Sequence, residues 1–264
     1  MRQVRYVGSF LRSEMLELDP NLTILEKIIA IVADYARHGG MPTSYLDKMA
    51  ADLIRIHKCE PAFLGFTPTG RADLGGYPAV MCVSINGEVI HGIPSDDKVL
   101  QDGDVVKLDC GIKMSDGQYD DGATTVLVGD CSATARKLVK STKEALEAGI
   151  RQAKVGKTNH DITKAIEAVA KRDGFAVIHG YGGHGIGKEL HMEPHIPNEM
   201  LYKEDGVTPA DEPVTLVAGM RLAIEPMLCT RSGNTYVDKD GWTVKVRTGI
   251  AAHFERTVLV TTNK

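Results

Sequence analysis

Four acids and one imidazole stand in this sequence where such groups are costly. Asp109 closes the apolar run Val105-Val106-Lys107-Leu108, Glu225 closes Leu222-Ala223-Ile224, and Asp121 and Glu255 sit on later runs of strand-like texture. A buried carboxylate is unfavourable unless a cation or hydrogen-bond donors meet it. Taken singly, each acid could end a strand paired with Lys or Arg. Taken together with His184, in the glycine-rich stretch Gly182-Gly183-His184-Gly185-Ile186-Gly187-Lys188-Glu189-Leu190-His191-Met192-Glu193-Pro194, they read as a metal site. Four carboxylates and one imidazole carry too much charge for one ion but suit two divalent cations that share carboxylates. Two such cations about 3.5–4 Å apart can hold a bridging hydroxide and polarise a carbonyl, which is peptidase-like or phosphatase-like chemistry.

The elements that must position these groups follow from periodicity. Helical spacing runs from Val4 to Leu18, again after the capping box Thr23-Ile24-Leu25-Glu26 as far as Gly39-Gly40, and from about Ser44 through Ile54. The texture then changes to short β runs: Val80–Ile85, an Asn86-Gly87 hairpin turn with Glu88–Ile93 as its return, Val105–Asp109, and Thr124–Val128. Helices return over Ala135–Ala153 and Ile162–Ala170. Strands follow at Phe175–Ile178, at Arg221–Glu225 and through Ala251–Val260, with Gly182 to Pro194 read as a turn between strands.

The two halves look duplicated. Leu100, Gly103 and Asp109 keep the same offsets as Leu216, Gly219 and Glu225, and each half adds a second acid further on, Asp121 in one and Glu255 in the other. This predicts an α+β domain with pseudo-twofold halves, its strands converging and helices covering one face of a curved antiparallel sheet. We expect one catalytic domain over 1–264, half-repeats of about 24–130 and 131–264, and divergent N-terminal helices over 1–43.

Composition narrows the class. The chain has 264 residues, 43% apolar and 25% charged, a net charge of −4 and a pI near 6.1. No global basic field draws it to nucleic acid or an anionic membrane. No run is long enough to span a bilayer, and no apolar core of signal-peptide length follows the start, so the expected location is cytoplasmic. Five cysteines, Cys59, Cys82, Cys110, Cys131 and Cys229, form no C-x-x-C pair and read as reduced. Two rival motifs fail. Gly180-Tyr181-Gly182-Gly183-His184-Gly185 matches G-x-G-x-x-G, yet Pro194 and Pro197 leave little room for the helix a dinucleotide site needs; H-E-x-x-H is absent.

Several motifs in order carry a resemblance: Tyr77-Pro78, Cys82-Val83-Ser84-Ile85-Asn86, His91-Gly92-Ile93-Pro94, Gly103-Asp104-Val105-Val106 with Asp109, Gly182 to His191 with Pro194, Gly219-Met220 with Glu225-Pro226-Met227, and Trp242-Thr243-Val244-Lys245 with Glu255. From about residue 44 to the C-terminus the chain resembles the type 1 methionine aminopeptidases in their short form, without a zinc-finger extension. The resemblance implies the pita-bread fold and a dimetal site. Asp109 would ligate one metal, His184 and Glu225 the other, and Asp121 and Glu255 would bridge both. Glu225 would also be the general base, His91 would contact the scissile amide, and His191 would bind the substrate carbonyl. A methionine pocket would lie near Tyr77, Cys82 and Trp242, with Phe66 and Leu190 completing its wall. The implied reaction is attack of metal-bound hydroxide on the first peptide carbonyl, removing methionine from nascent polypeptide N-termini that carry a small second residue. Work near the ribosome surface as a monomer would go with it. Such ligation suits Mn, Fe(II) or Co, with Zn a further option.

The chain departs from the family in places. The turn after Asp109 is one residue longer, so the second acid is Asp120 or Asp121; Asp121-Gly122-Ala123-Thr124-Thr125 fits the family's Asp-Thr-Ala-x-Thr run and selects Asp121. Thr67 to Leu74 looks inserted beside the pocket, Leu190 replaces an aromatic, and Arg256 stands where the family has His. The competing enzyme class is a pita-bread peptidase cleaving at proline, such as prolidase or aminopeptidase P, which carries an N-terminal domain this chain lacks the length for. The competing non-enzyme class is a metal-free pita-bread protein holding a peptide or RNA.

Overall fold

The computed structural model describes residues 22–262 apart from 69, 205 and 207. The helix expected over Val4–Leu18 lies outside the described residues. The described chain begins at helix α1 (Ile24–Ala36), where the Thr23 side chain accepts from the Glu26 N–H (3.1 Å) and the Glu26 carboxylate accepts from the Thr23 N–H (2.8 Å). Helix α2 (Thr43–Ile56) follows, then strands β1 (Glu60–Pro61), β2 (Met81–Ile85), β3 (Glu88–Ile90), β4 (Val105–Lys113) and β5 (Tyr119–Leu127). Helices α3 (Ala133–Ile150) and α4 (Asn159–Asp173) open the second half. They lead to β6 (Ala176–Val177), β7 (Gly182–Gly185), β8 (Met192–Pro197), β9 (Arg221–Ile224), β10 (Met227–Cys229), β11 (Thr235–Val237), β12 (Val244–Val246), β13 (Ala251–His253) and β14 (Glu255–Leu259). Among the described residues no helix is long and apolar enough to cross a membrane.

The main sheet is antiparallel and runs β1-β4-β5-β14-β9-β7-β8, with β2 added to β4. Its two halves meet where β5 pairs with β14. Helices α1 and α2 bury Ile28, Leu46 and Leu53 against Val106, Leu108 and Ile112 of β4. Helices α3 and α4 bury Leu138, Ile162 and Ile166 against Leu222 and Ile224 of β9. The α+β, pseudo-twofold architecture expected from the duplicated offsets is therefore the observed one. Gly103 and Gly219 both take φ +91°, a left-handed turn into the acid-bearing strand that side chains disfavour.

Three expectations need correction. Asn86 does make a left-handed turn (φ +54°), but β2 and β3 do not ladder as a hairpin. The Ile85 N–H donates to the Glu88 carboxylate (2.9 Å), β2 pairs with the nine-residue β4, and β3 pairs instead with β12. The run Ala251–Val260 is two strands broken at Phe254, with β13 on β10 and β14 on β5 and β9. Gly182–Gly185 is not a turn but a strand squeezed between β8 and β9. A methyl on Gly183 would lie 2.1 Å from the Ala223 carbonyl oxygen, so the glycines serve close strand approach and the turn falls later, before Met192.

Replacing Gly183 by alanine is expected to push β7 from β9 at a cost of about 1–3 kcal/mol, read as a fall of roughly 3–10 °C in Tm. An unchanged Tm would mean that strand spacing does not demand glycine there.

Candidate active site

Register decides which side chains meet. Along β4, Val106, Leu108, Cys110 and Ile112 point into the helix-side core, so Asp109 and Gly111 point to the opposite face. Gly111 is opposite Asp121 and Asp109 is opposite Ala123, which is in turn opposite Glu255. On the other half, Thr257 is opposite Ala223, Ala223 is opposite His184, and Glu225 follows Ala223 by two. One face thus collects Asp109, Asp121, Glu255, Glu225 and His184. Asp120, opposite the core residue Ile112, falls on the helix side, where its carboxylate lies 3.7 Å from the Arg221 guanidinium.

A cavity of about 460 Å³ opens on that face, and every site residue named from the sequence lines it. Ligand atoms of Asp121, His184 and Glu255 all lie within 4.8 Å of one another, and so do those of Glu225, His253 and Glu255, leaving Glu255 common to both groups. His184 Nδ1 is 2.9 Å from the Gly185 carbonyl, which can only accept; Nδ1 therefore carries the proton and Nε2 turns a lone pair toward Glu225 Oε1 at 3.8 Å. Asp109 belongs to neither tight group, yet its buried Oδ1 has no partner among the described residues and its carboxylate interacts with Glu225.

The electrostatics fit divalent cations. Burial pushes all four carboxyls well above their usual range, and they raise one another: Glu225 acts on Asp109, Asp109 on Asp121, and Asp121 on Glu225 and Glu255. Among the described residues none of the four is ion-paired to Lys or Arg, which leaves metal ions as the charge that would balance them. Burial also holds His184 near pKa 4, with His191 adding to the effect, so its ring is neutral as a ligand must be.

His91, at φ +58°, is fixed beside Gly92, whose N–H donates to Ser84 Oγ (2.9 Å) and whose carbonyl accepts from the Tyr77 hydroxyl (3.0 Å). Burial lowers its pKa to about 4. His191 opens into the cavity with its ring 4.5 Å from that of His184 and 5.3 Å from that of Phe66, and burial followed by His91 lowers its pKa too. To one side, Tyr77 and Trp242 meet edge to face at 5.2 Å over buried Cys82. Leu190 packs on Ile186 and Ala223, with Phe66 against it.

Residues beyond those expected from the sequence also stand at the site. Pro68, Arg71 and Leu74, from the segment expected as an insertion, form part of the wall, Leu74 packing with the Tyr77–Trp242 cluster. His253 is 1% exposed and its Nε2 is 3.5 Å from Glu225 Oε2. It stands two residues before Glu255, a spacing that would place both on one face of a continuous strand.

Acids and an imidazole gathered by a duplicated antiparallel sheet define a metallohydrolase of the pita-bread class. The match to the model of metallopeptidase family M24 extends over residues 21–262, and the chain belongs to that family. Within it, the chain is 44% identical over 239 residues to a methionine aminopeptidase of Aquifex aeolicus, covering 90% of this chain and 89% of that one. It is 43% identical to methionine aminopeptidase 1 of Mycobacterium tuberculosis over 84% of this chain and 80% of that one. The crystal structure of methionine aminopeptidase from Rickettsia prowazekii superposes with a TM-score of 0.81 at 29% identity, covering 100% of this chain and 97% of that one. Prolidase from Pyrococcus furiosus shares the fold at a TM-score of 0.66 and 20% identity, and 58% of its length is covered.

Two outcomes are expected. Asp121→Asn loses one of the paired Mn(II) equivalents on calorimetric titration whereas Asp120→Asn keeps both; the reverse result would move the bridging role to Asp120. The second concerns pH. A carboxyl raised in the folded state holds its proton more tightly there than in the unfolded chain, so its contribution is present below the ordinary values of 3.8 for Asp and 4.5 for Glu and is lost as pH climbs toward the raised value. A cation must displace those protons, and its affinity rises over the same window, while neutral His184 has none to displace. The increase in Tm given by Mn(II) therefore grows as pH rises from the ordinary carboxyl range toward the raised values; equal increases across that range would show that the acids are already ionised.

Proposed function

We propose that the chain removes the N-terminal methionine from nascent polypeptides whose second residue is small, as a cytoplasmic monomer working where chains leave the ribosome surface. The observation that carries this reading is the apolar compartment of Tyr77, Cys82, Trp242, Phe66 and Leu190 opening directly onto the acidic floor. A thioether side chain is flexible and polarisable and packs well against aromatic rings and a thiol. Leu74 packs against the Tyr77–Trp242 cluster and lines the same cavity, which adds apolar surface beside the acids.

Asp109 would hold one divalent cation, His184 and Glu225 the other, and Asp121 and Glu255 would lie between them. Mn, Fe(II) or Co suit such a donor set, with Zn a further option. When bound, the ions supply Lewis acidity to the first peptide carbonyl and lower the pKa of water. The side chains do the rest. Glu225, on the cavity floor with a carboxylate oxygen facing His184, takes a proton from the attacking water. His91, with a bound ion, would hold the free α-amine of the substrate, which restricts cleavage to the chain end. His191, neutral and open to the cavity, donates a hydrogen bond to the carbonyl oxygen as negative charge builds there. His91 faces the scissile amide and assists the departing amine.

The test is release of free methionine from a Met-Ala-Ser peptide by the Mn(II)-loaded protein. His91→Ala is expected to cut kcat by about 10²–10⁴-fold with metal content unchanged. Activity near the parent level would remove His91 from the reaction. Release of Xaa from Xaa-Pro with no release from Met-Ala-Ser would assign the chain to the proline-cleaving class, and absence of both metal and release to the binding class.

A further inference from the structure

One buried group beside the site has no role so far. His253 ends β13, and its backbone is pinned on both sides: its N–H donates to Thr125 Oγ1 (2.9 Å), and its carbonyl accepts from the same hydroxyl (2.6 Å). β13 sets it opposite Met227, two residues beyond Glu225. Neither ring nitrogen has a hydrogen-bond partner among the described residues, and burying two such atoms is costly. A neutral imidazole has one N–H to give. Lys107, on the same strand face as Asp109, does not compete for the carboxylate, since its ammonium donates to the Asn86 (2.9 Å) and Val105 (3.2 Å) carbonyls.

The Glu225 carboxylate is split between two imidazoles. Oε1 lies 3.8 Å from His184 Nε2, and Oε2 lies 3.5 Å from His253 Nε2. His184 lines the cavity and His253 does not. We propose that His253 is a positioning residue for Glu225: its Nε2–H donates to Oε2 and fixes the rotamer in which Oε1 is left to face the cavity. At 3.5 Å the two groups are slightly too far apart for a hydrogen bond, and the contact would tighten once the site is filled, as active-site contacts commonly do. Removing such an outer partner from a metal-ligating carboxylate typically costs 10–100-fold in metal affinity.

The inference rests on Glu225 being a ligand, and the experiment reads metal binding, not peptide cleavage. The metal-free full chain and its variants are titrated with Mn(II) in a calorimeter, with Tm recorded for each. His253→Leu, similar in bulk but without a donor, is expected to bind Mn(II) about 10–100-fold more weakly. His253→Gln, which keeps an N–H of comparable reach, is expected to recover to within about threefold of the parent, a rescue that mere packing would not give. If His253→Leu does not fold, His253→Asn, whose amide is too short to reach, takes its place against His253→Gln. Parent-like affinity without a donor, Gln as weak as Leu or Asn, or an anomalous manganese peak bonded to Nε2 itself would overturn the inference. A parent that binds no Mn(II) would instead overturn the proposed function.

Discussion

The register of β4, β5, β14 and β9 is the constraint on which the rest depends. A slip of one residue in any pair would turn an acid into the helix-side core and an aliphatic side chain into the cavity. The alternation has two unequal jobs. One face of the sheet is apolar and covered by four helices. The other carries carboxylates that no lysine or arginine among the described residues neutralises, so folding the apolar face forces those charges together on the other. Their mutual repulsion is a local instability that bound cations would relieve, so stability given up in the metal-free site would return as metal affinity.

Duplication explains how such a face arises. Each half contributes a left-handed glycine turn leading to an acid carried in or just after a strand, a second acid and a pair of covering helices. Pairing β5 with β14 puts the second acids, Asp121 and Glu255, at the seam, with Asp109 and Glu225 outside them. A residue at the seam can reach both sides, which suits Asp121 and Glu255 as the shared pair. The departure from symmetry is His184: β7 lies on β9 as β2 lies on β4, but the place opposite Ala223 holds His184 where that opposite Lys107 holds Ser84, which makes the two sides of the centre chemically unequal.

What the sequence reveals follows from which interactions are local. Capping, helical periodicity and the equal offsets of Asp109 and Glu225 are local patterns, and they place α1 through α4 and the acid-bearing strands. Asp120 and Asp121 differ only by which neighbour opposes Gly111, a fact of pairing that the longer turn after Asp109 hides. The glycines around His184 have the composition of a turn, yet their cause is the carbonyls of the strands on either side, Ile196 and Glu193 on β8 and Ala223 on β9. The Asn86-Gly87 turn is correct locally and misleading globally, because β12 offers β3 a partner that no local pattern announces. His253 stays hidden for a similar reason: the break at Phe254 interrupts the alternation that would link it to Glu255.

The selectivity wall obeys a different rule from the floor. Asp109, Asp121 and Glu255 are fixed by ladders on both sides, whereas Phe66, Leu74, Leu190 and Trp242 come from connections between strands. A connection can lengthen, as at Thr67 to Leu74, or exchange an aromatic for Leu190, without moving any strand. The exchange at Leu190 is absorbed locally, because the side chain rests on Ile186 and Ala223 while Phe66 leans on the His191 ring. Chemistry set by register and selectivity set by loops can therefore change independently.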